Sequence, residues 1–235
     1  MSTSNNFFDG VEWLADVRLL GKPVEVIMSF ASEKDMGKIS LWADFADYPA
    51  YYSYSQSPPR HLTRDQKDIL EYAALLEGMY RTYEMNDRFA GSANRLERII
   101  RENPREDVLF VLVMKLPPPA FGDATGPFIS GEVLGFAAMR HTWKNTLKLE
   151  FLAASPLHMG TDMELQGVGS ALLTASVELS KIMSAPMFWA ESTDTSLGFY
   201  LKQKFKTLED IVYLDAEGIA KFVRSAERKL HHDAD

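Results

Sequence analysis

Apolar and polar positions along the chain change texture near residue 108. Before it, the pattern is a strand followed by helices. Val24–Phe30 reads as a strand, and Ser32-Glu33-Lys34-Asp35 sets a capping serine three residues ahead of a carboxylate, which announces a helix with Met36, Ile39 and Ala43 as its inner stripe. Tyr48–Pro59 is aromatic and broken by Pro49, Pro58 and Pro59, so it reads as a loop that brings tyrosines to the surface. Thr63-Arg64-Asp65-Gln66 is a second capping box, after which Ile69, Tyr72, Leu76, Met79, Tyr80 and Tyr83 recur at helical spacing. Leu96–Ile100 is a shorter amphipathic piece.

From Val108 onward the runs are short and rich in strand formers. Val108–Lys115, Glu132–His141 and Leu147–Ala154, each bounded by Pro, Gly or Asn, predict consecutive antiparallel strands. A helix from the Gly167–Gly169 turn through Met183, a strand Met187–Glu191, a short helix Ser196–Gln203, a strand Lys206–Asp215 and a terminal helix follow. Strands and helices mix without strict alternation. This predicts an α+β fold with a mixed, mostly antiparallel central sheet and helices on both faces. No repeat or linker divides the chain, so the expected organisation is an N-terminal arm over 1–23, one domain over 24–215, and a C-terminal helix and tail over 216–235.

Composition narrows the chemistry. With 25 Lys+Arg against 33 Asp+Glu the net charge is −8, which disfavours a partner bound through phosphate backbones and suits a cationic or amine-bearing substrate. The absence of Cys excludes disulfides, thiolate nucleophiles and Cys-based metal sites. The polar start lacks the pattern of a secretion signal, and no apolar run approaches the ~18 residues of a membrane span, so a cytoplasmic protein without a membrane partner is expected.

The densest chemical signal is Glu164-Leu165-Gln166-Gly167-Val168-Gly169-Ser170-Ala171-Leu172-Leu173. Glycines at a strand-to-helix junction let backbone approach a ligand, and the free N–H groups of a first helical turn suit a pyrophosphate. Neither the three-glycine dinucleotide fingerprint nor the P-loop spacing fits. In order with Leu152-Ala153-Ala154-Ser155-Pro156 upstream and Phe199-Tyr200-Leu201-Lys202-Gln203-Lys204-Phe205 downstream, the segment resembles the GNAT superfamily of acyl-CoA-dependent N-acetyltransferases. Val26–Pro49 and Glu132–Ala137 are similar to that family's first strand and helix and its third strand, so the resemblance spans roughly Val24 to Asp215. Three features depart from the pattern: Glu164 stands where Gln or Arg is usual, the 157–163 stretch is long, and Lys204 replaces a glycine. A second register, Gln166-x-x-Gly169-x-Ala171, satisfies the motif literally, whereas the first keeps Leu172 and Leu173 where the helix packs on the sheet.

The resemblance implies acetyl-CoA as cosubstrate, without a metal, and contacts to it from Leu152, Ala153, Ala154, Leu165, Gln166, Gly167, Val168, Gly169, Ser170, Ser196 and Lys202. It implies that Tyr200 is the acid for the departing thiolate and that Glu150 is the base for the attacking amine. Alternation along the strand puts Lys148, Glu150, Leu152 and Ala154 on one face. His141 and His158 are other candidates for the proton, while His231-His232-Asp233 falls in the terminal residues. The implied activity is acetyl transfer to a small-molecule amine in a ternary complex, with Tyr48–Tyr54 walling the acceptor side; a non-catalytic acyl-CoA-binding or regulatory protein of the same fold is the alternative.

Overall fold

The computed structural model describes residues 13–19, 22–43, 63–117, 132–156 and 165–232. The Tyr48–Tyr54 segment, His158, Glu164 and Asp233 lie outside them. In chain order the elements are β1 (Trp13–Leu19), β2 (Lys22–Phe30), α1 (Glu33–Ala43), α2 (Arg64–Met85), β3 (Phe89–Ala90), α3 (Ala93–Glu102), β4 (Val108–Lys115), β5 (Val133–His141) and β6 (Leu147–Ala154). They continue with β7 (Leu165–Gln166), α4 (Val168–Ile182), β8 (Met187–Glu191), α5 (Asp194–Lys202), β9 (Lys206–Leu208), β10 (Ile211–Asp215) and α6 (Ala216–His232).

One sheet runs in the order β7-β1-β2-β4-β5-β6-β8-β10-β9, with β3 added on β4. Its pairs are antiparallel except β6 with β8 and β3 with β4, and helices cover both faces, which is the expected architecture. On β4, Phe110, Leu112 and Met114 enter the core that α4 and α6 close with Val168, Leu172, Ile219 and Val223. Leu109, Val111 and Val113 enter the opposite core, closed by Met36, Ile39 and Trp42 of α1 and Ile69, Ala73 and Leu76 of α2. A strand covered on both faces needs apolar residues at successive positions, which is why Val108–Met114 reads as a continuous hydrophobic run.

Both predicted capping boxes form. Ser32 N donates to Asp35 Oδ2 at 3.0 Å and Asp35 N donates to Ser32 Oγ at 3.2 Å. Thr63 and Gln66 exchange the equivalent bonds at 3.0 and 3.2 Å. Asp35 is buried and also receives Lys115 Nζ at 3.0 Å, and the balance of these donors against desolvation keeps its carboxyl below the usual range.

Several boundaries differ from the sequence expectation. Trp13–Leu19, within the expected N-terminal arm, is a strand that pairs antiparallel with β2, and its far edge takes β7. Lys206–Asp215 is a hairpin rather than one strand, because the chain reverses at Glu209, whose φ is 53°. The C-terminal helix runs through His232 and contributes Ile219 and Val223 to the common core. Among the described residues no helix is long and apolar enough to cross a membrane.

Candidate active site

The central feature is a parting of the sheet. β6 pairs with β8 only through Leu147↔Phe188, Lys148↔Trp189 and Leu149↔Ala190. Beyond that point β8 ends at Glu191 and α5 turns away, while β6 continues through residues 150–154 with no β8 partner. At ~3.3 Å per residue this edge is roughly 16 Å long, and among the described residues no strand pairs with it, so an extended ligand could hydrogen-bond to its backbone.

A β-bulge marks where the strands part. Ala138 pairs with Phe151 and Met139 with Leu149, so Glu150 is the extra residue on β6. The bulge shifts the alternation. Leu152 and Ala154 therefore pack on the α4 side, with Leu147 and Leu149, whereas Phe151 and Ala153 belong to the α2 side. This corrects the strict alternation read from sequence: Lys148 and Glu150 do not share a face with Leu152 and Ala154. Glu150 instead accepts from Arg140 Nε at 2.6 Å and from Lys148 Nζ at 3.0 Å, both oxygens thus facing cations. Arg140 continues to Asp107 at 2.8 Å and meets the Tyr83 hydroxyl of α2, and Lys148 continues to Glu191 at 2.8 Å.

The glycine turn stands beside this edge. Gly167 adopts φ 94° as the N-cap of α4, and a Cβ there would meet no atom within 4 Å. Glycine is required for its conformation, not for lack of room. The first helical bond runs from Ala171 N to Gly167 O, so the N–H groups of Val168, Gly169 and Ser170 have no partner within the helix. Gly135 of β5 fixes where this turn sits: a Cβ on it would lie 2.5 Å from Val168 Cγ1 and 2.9 Å from Ala153 O. Sequence reasoning did not single out Gly135 as a site residue, because its importance comes from a helix some thirty residues away.

Tyr200 on α5 completes the constellation. It is 6% exposed, packed between Phe199 at 5.3 Å and Phe205 at 5.4 Å. Desolvation by burial, then the neighbouring Tyr72, pushes its phenol up to about 12. Tyr72 reaches over from α2, stacking on Phe151 at 5.4 Å beside the open edge. Phe199 touches the first turn of α4, its Cζ 4.0 Å from where a Gly169 Cβ would stand.

The β6 edge, the glycine-initiated turn and Tyr200 thus lie close together, linked through Tyr72, Phe151 and Phe199. Ser196 closes the α5 capping box, receiving Thr193 N at 2.9 Å, and Lys202 is exposed in the last turn of that helix. Gln166 pairs with Arg18, and Leu165 with Leu19. His141 is not part of the group. It lies at the far end of β5, roughly 20 Å along the strand from Gly135, buried with Nε2 against Asn145 Oδ1 at 3.0 Å, and desolvation holds its imidazole below the ordinary value. A groove of about 280 Å³ between α1 and α2, lined by Met36, Gly37, Ser40, Glu77 and Tyr80, is separate from this constellation.

No family model matches the sequence, and no curated protein matches it. Among solved structures the chain is similar to a GNAT family acetyltransferase from Brucella melitensis in complex with acetyl-CoA, at 14% identity and TM-score 0.44 over 81% of this chain and 88% of that one. It is also similar to the GNAT domain of a protein from S. lividans, at 14% identity and TM-score 0.42 over 86% of this chain and 97% of that one. A third is a putative acetyltransferase from Salmonella typhimurium with acetyl-CoA, at 14% identity and TM-score 0.42 over 81% and 93%.

Proposed function

We propose that this chain is an acetyl-CoA-dependent N-acetyltransferase that acylates a small-molecule amine by direct attack in a ternary complex. The observation that carries the reading is the convergence, at one parting of the sheet, of a strand edge and a helix start that have no cap or strand partner among the described residues, and a buried phenol. These residues fit the donor. The N–H groups of Val168, Gly169 and Ser170 would hold its pyrophosphate, with open space at Gly167, and the backbone of residues 150–154 would pair with the amides of its arm. Bound acetyl-CoA supplies an activated thioester.

The protein's part is to place and stabilise charge. A Tyr200 phenol near 12 stays protonated at neutral pH and stands above a thiol reference of ~8.5, so it works as a hydrogen-bond donor to the sulfur more than as a complete proton donor. Glu150 would receive the amine's proton through water, using lone pairs not taken by Arg140 and Lys148. With no Cys in the chain, a thioester on the enzyme is excluded. That both Glu150 oxygens already face cations favours a second reading, an acyl-CoA-binding protein without turnover.

Thermal shift with acetyl-CoA, followed by thiol-release assays over an amine panel, separates the two. The first reading expects stabilisation and thiol release with at least one amine, stabilisation alone supports the second, and no stabilisation refutes both. Within the first reading, Tyr200→Phe keeps the ring and lowers turnover by about ten- to a thousandfold with little change in acetyl-CoA affinity. Undiminished turnover in that variant removes Tyr200 from the chemistry.

A further inference from the structure

We infer that Lys148 is a positioning residue that sets the gap between β6 and β8, and so the placement of Tyr200 against the open edge; the inference rests on the acyltransferase reading for its catalytic consequence alone. Lys148 pairs with Trp189 one residue before the strands separate. Its ammonium then reaches forward to both lips of the parting, to Glu150 on β6 at 3.0 Å and to Glu191, the last residue of β8, at 2.8 Å. The same group lies over the Trp189 ring at 5.0 Å, and Trp189 Nε1 donates to Thr146 Oγ1, the residue before β6, at 3.2 Å, which holds that ring beside the start of β6. Glu150 is held in turn by Arg140, so the β6 side of the clasp is anchored to β5.

On the β8 side, Glu191 leads through Ser192 to Thr193, the N-cap of the helix that carries Tyr200. Ser192 N donates to Asp210 O at 2.7 Å, tying the same short segment to the β9–β10 turn. α5 is therefore hung from a segment that Lys148 ties to β6 and Ser192 ties to the β9–β10 turn. Lys148 is only 9% exposed, and burying an ammonium stabilises a fold poorly compared with an apolar side chain. What the ammonium provides, and a methylene chain does not, is an attraction to two carboxylates on two strands, Glu150 buried and Glu191 at the exposed end of β8.

Lys148→Met keeps the stem on Trp189 and removes the charge, and Lys148→Arg restores it. With activity expressed per acetyl-CoA-binding site, the Met variant should lose at least about tenfold in kcat while its KM for acetyl-CoA changes by less than about threefold, because the grip at Gly167–Ser170 is untouched. The Arg variant should recover most of the loss. Amide hydrogen exchange without ligand gives a readout independent of turnover: the Met variant should exchange faster over residues 188–203 and unchanged over 168–182. Wild-type kcat with unchanged exchange overturns the inference. So does a loss in which exchange rises across the whole sheet and Arg restores nothing, which is the signature of a merely structural residue. If the wild-type protein transfers no acetyl group, the acyltransferase reading fails by itself, and the exchange pattern still decides whether Lys148 holds the gap.

Discussion

Gly135→Ala adds one methyl group where β5, β6 and α4 meet. Its Cβ would stand 2.5 Å from Val168 Cγ1, 2.9 Å from Ala153 O and 3.0 Å from Leu172 Cδ1. Val168 is 2% exposed and Leu172 is fully buried, so neither can swing aside into solvent, and the carbonyl of Ala153 belongs to backbone. Relief needs α4 to lift from the sheet, for Val168 and Leu172, and the β5–β6 pair to spread at Ala153. Overpacking of this kind costs ~1–3 kcal/mol, against which alanine recovers ~0.5–1 kcal/mol of strand preference over glycine. A net loss of about 1–2 kcal/mol lowers Tm by roughly 2–8 °C in a chain of this size. Because Val168 is the first residue of α4, the lift also displaces the turn that would hold the pyrophosphate. Thermal denaturation and calorimetric titration with acetyl-CoA, run at a temperature where the variant stays folded, should both register the change, affinity falling by about tenfold or more. A variant with wild-type Tm and affinity would refute the packing account of how the turn is placed.

Lys204 has φ 67° and is exposed, so Lys204→Gly removes a left-handed strain of ~1–2 kcal/mol and adds ~0.5–1 kcal/mol of chain entropy, for a Tm about 1–4 °C higher. A lower Tm would contradict it. Gly167→Ala meets no atom but forces a left-handed alanine, so stability falls by ~1–2 kcal/mol and acetyl-CoA binding weakens with it; an unchanged Tm would show that the turn relaxes freely. Asp35 has its carboxyl depressed, so its contribution is present above the unfolded value near 3.8 and is lost as pH falls through the lower folded value. Asp35→Asn should cost about 1–3 kcal/mol in urea unfolding at pH 7, and the gap from wild type should narrow below roughly pH 4; a gap that stays constant with pH would contradict the assignment.

The parts that were legible in sequence are those governed by local rules. Ser32 with Asp35 and Thr63 with Gln66 are capping boxes because the bonding partners are three residues apart, and the apolar run Val108–Met114 follows from burial on both faces. That a helix opens at Gly167 and that Tyr200 falls on the short helix after β8 were legible through an ordered set of short motifs. What escaped is non-local. The bulge at Glu150 exists only in the pairing of β6 with β5, so strict alternation put Leu152 and Ala154 on the wrong side of the strand. Gly135 is an ordinary strand residue until α4 is laid across it. Trp13–Leu19 carries mixed polar and apolar positions, and only its pairing with β2 and β7 makes it a strand. Lys204 fills the position at which the motif has glycine, and the backbone takes the glycine-like conformation all the same.

The most direct test of the central claim is amide hydrogen exchange across a titration with acetyl-CoA, which reports whether the donor binds and where. Saturable binding with protection concentrated in residues 150–156, 167–171 and 196–202 is the predicted result. The account is contradicted if acetyl-CoA does not bind saturably, or if it protects other segments and leaves the Gly167 turn and the open edge of β6 unchanged.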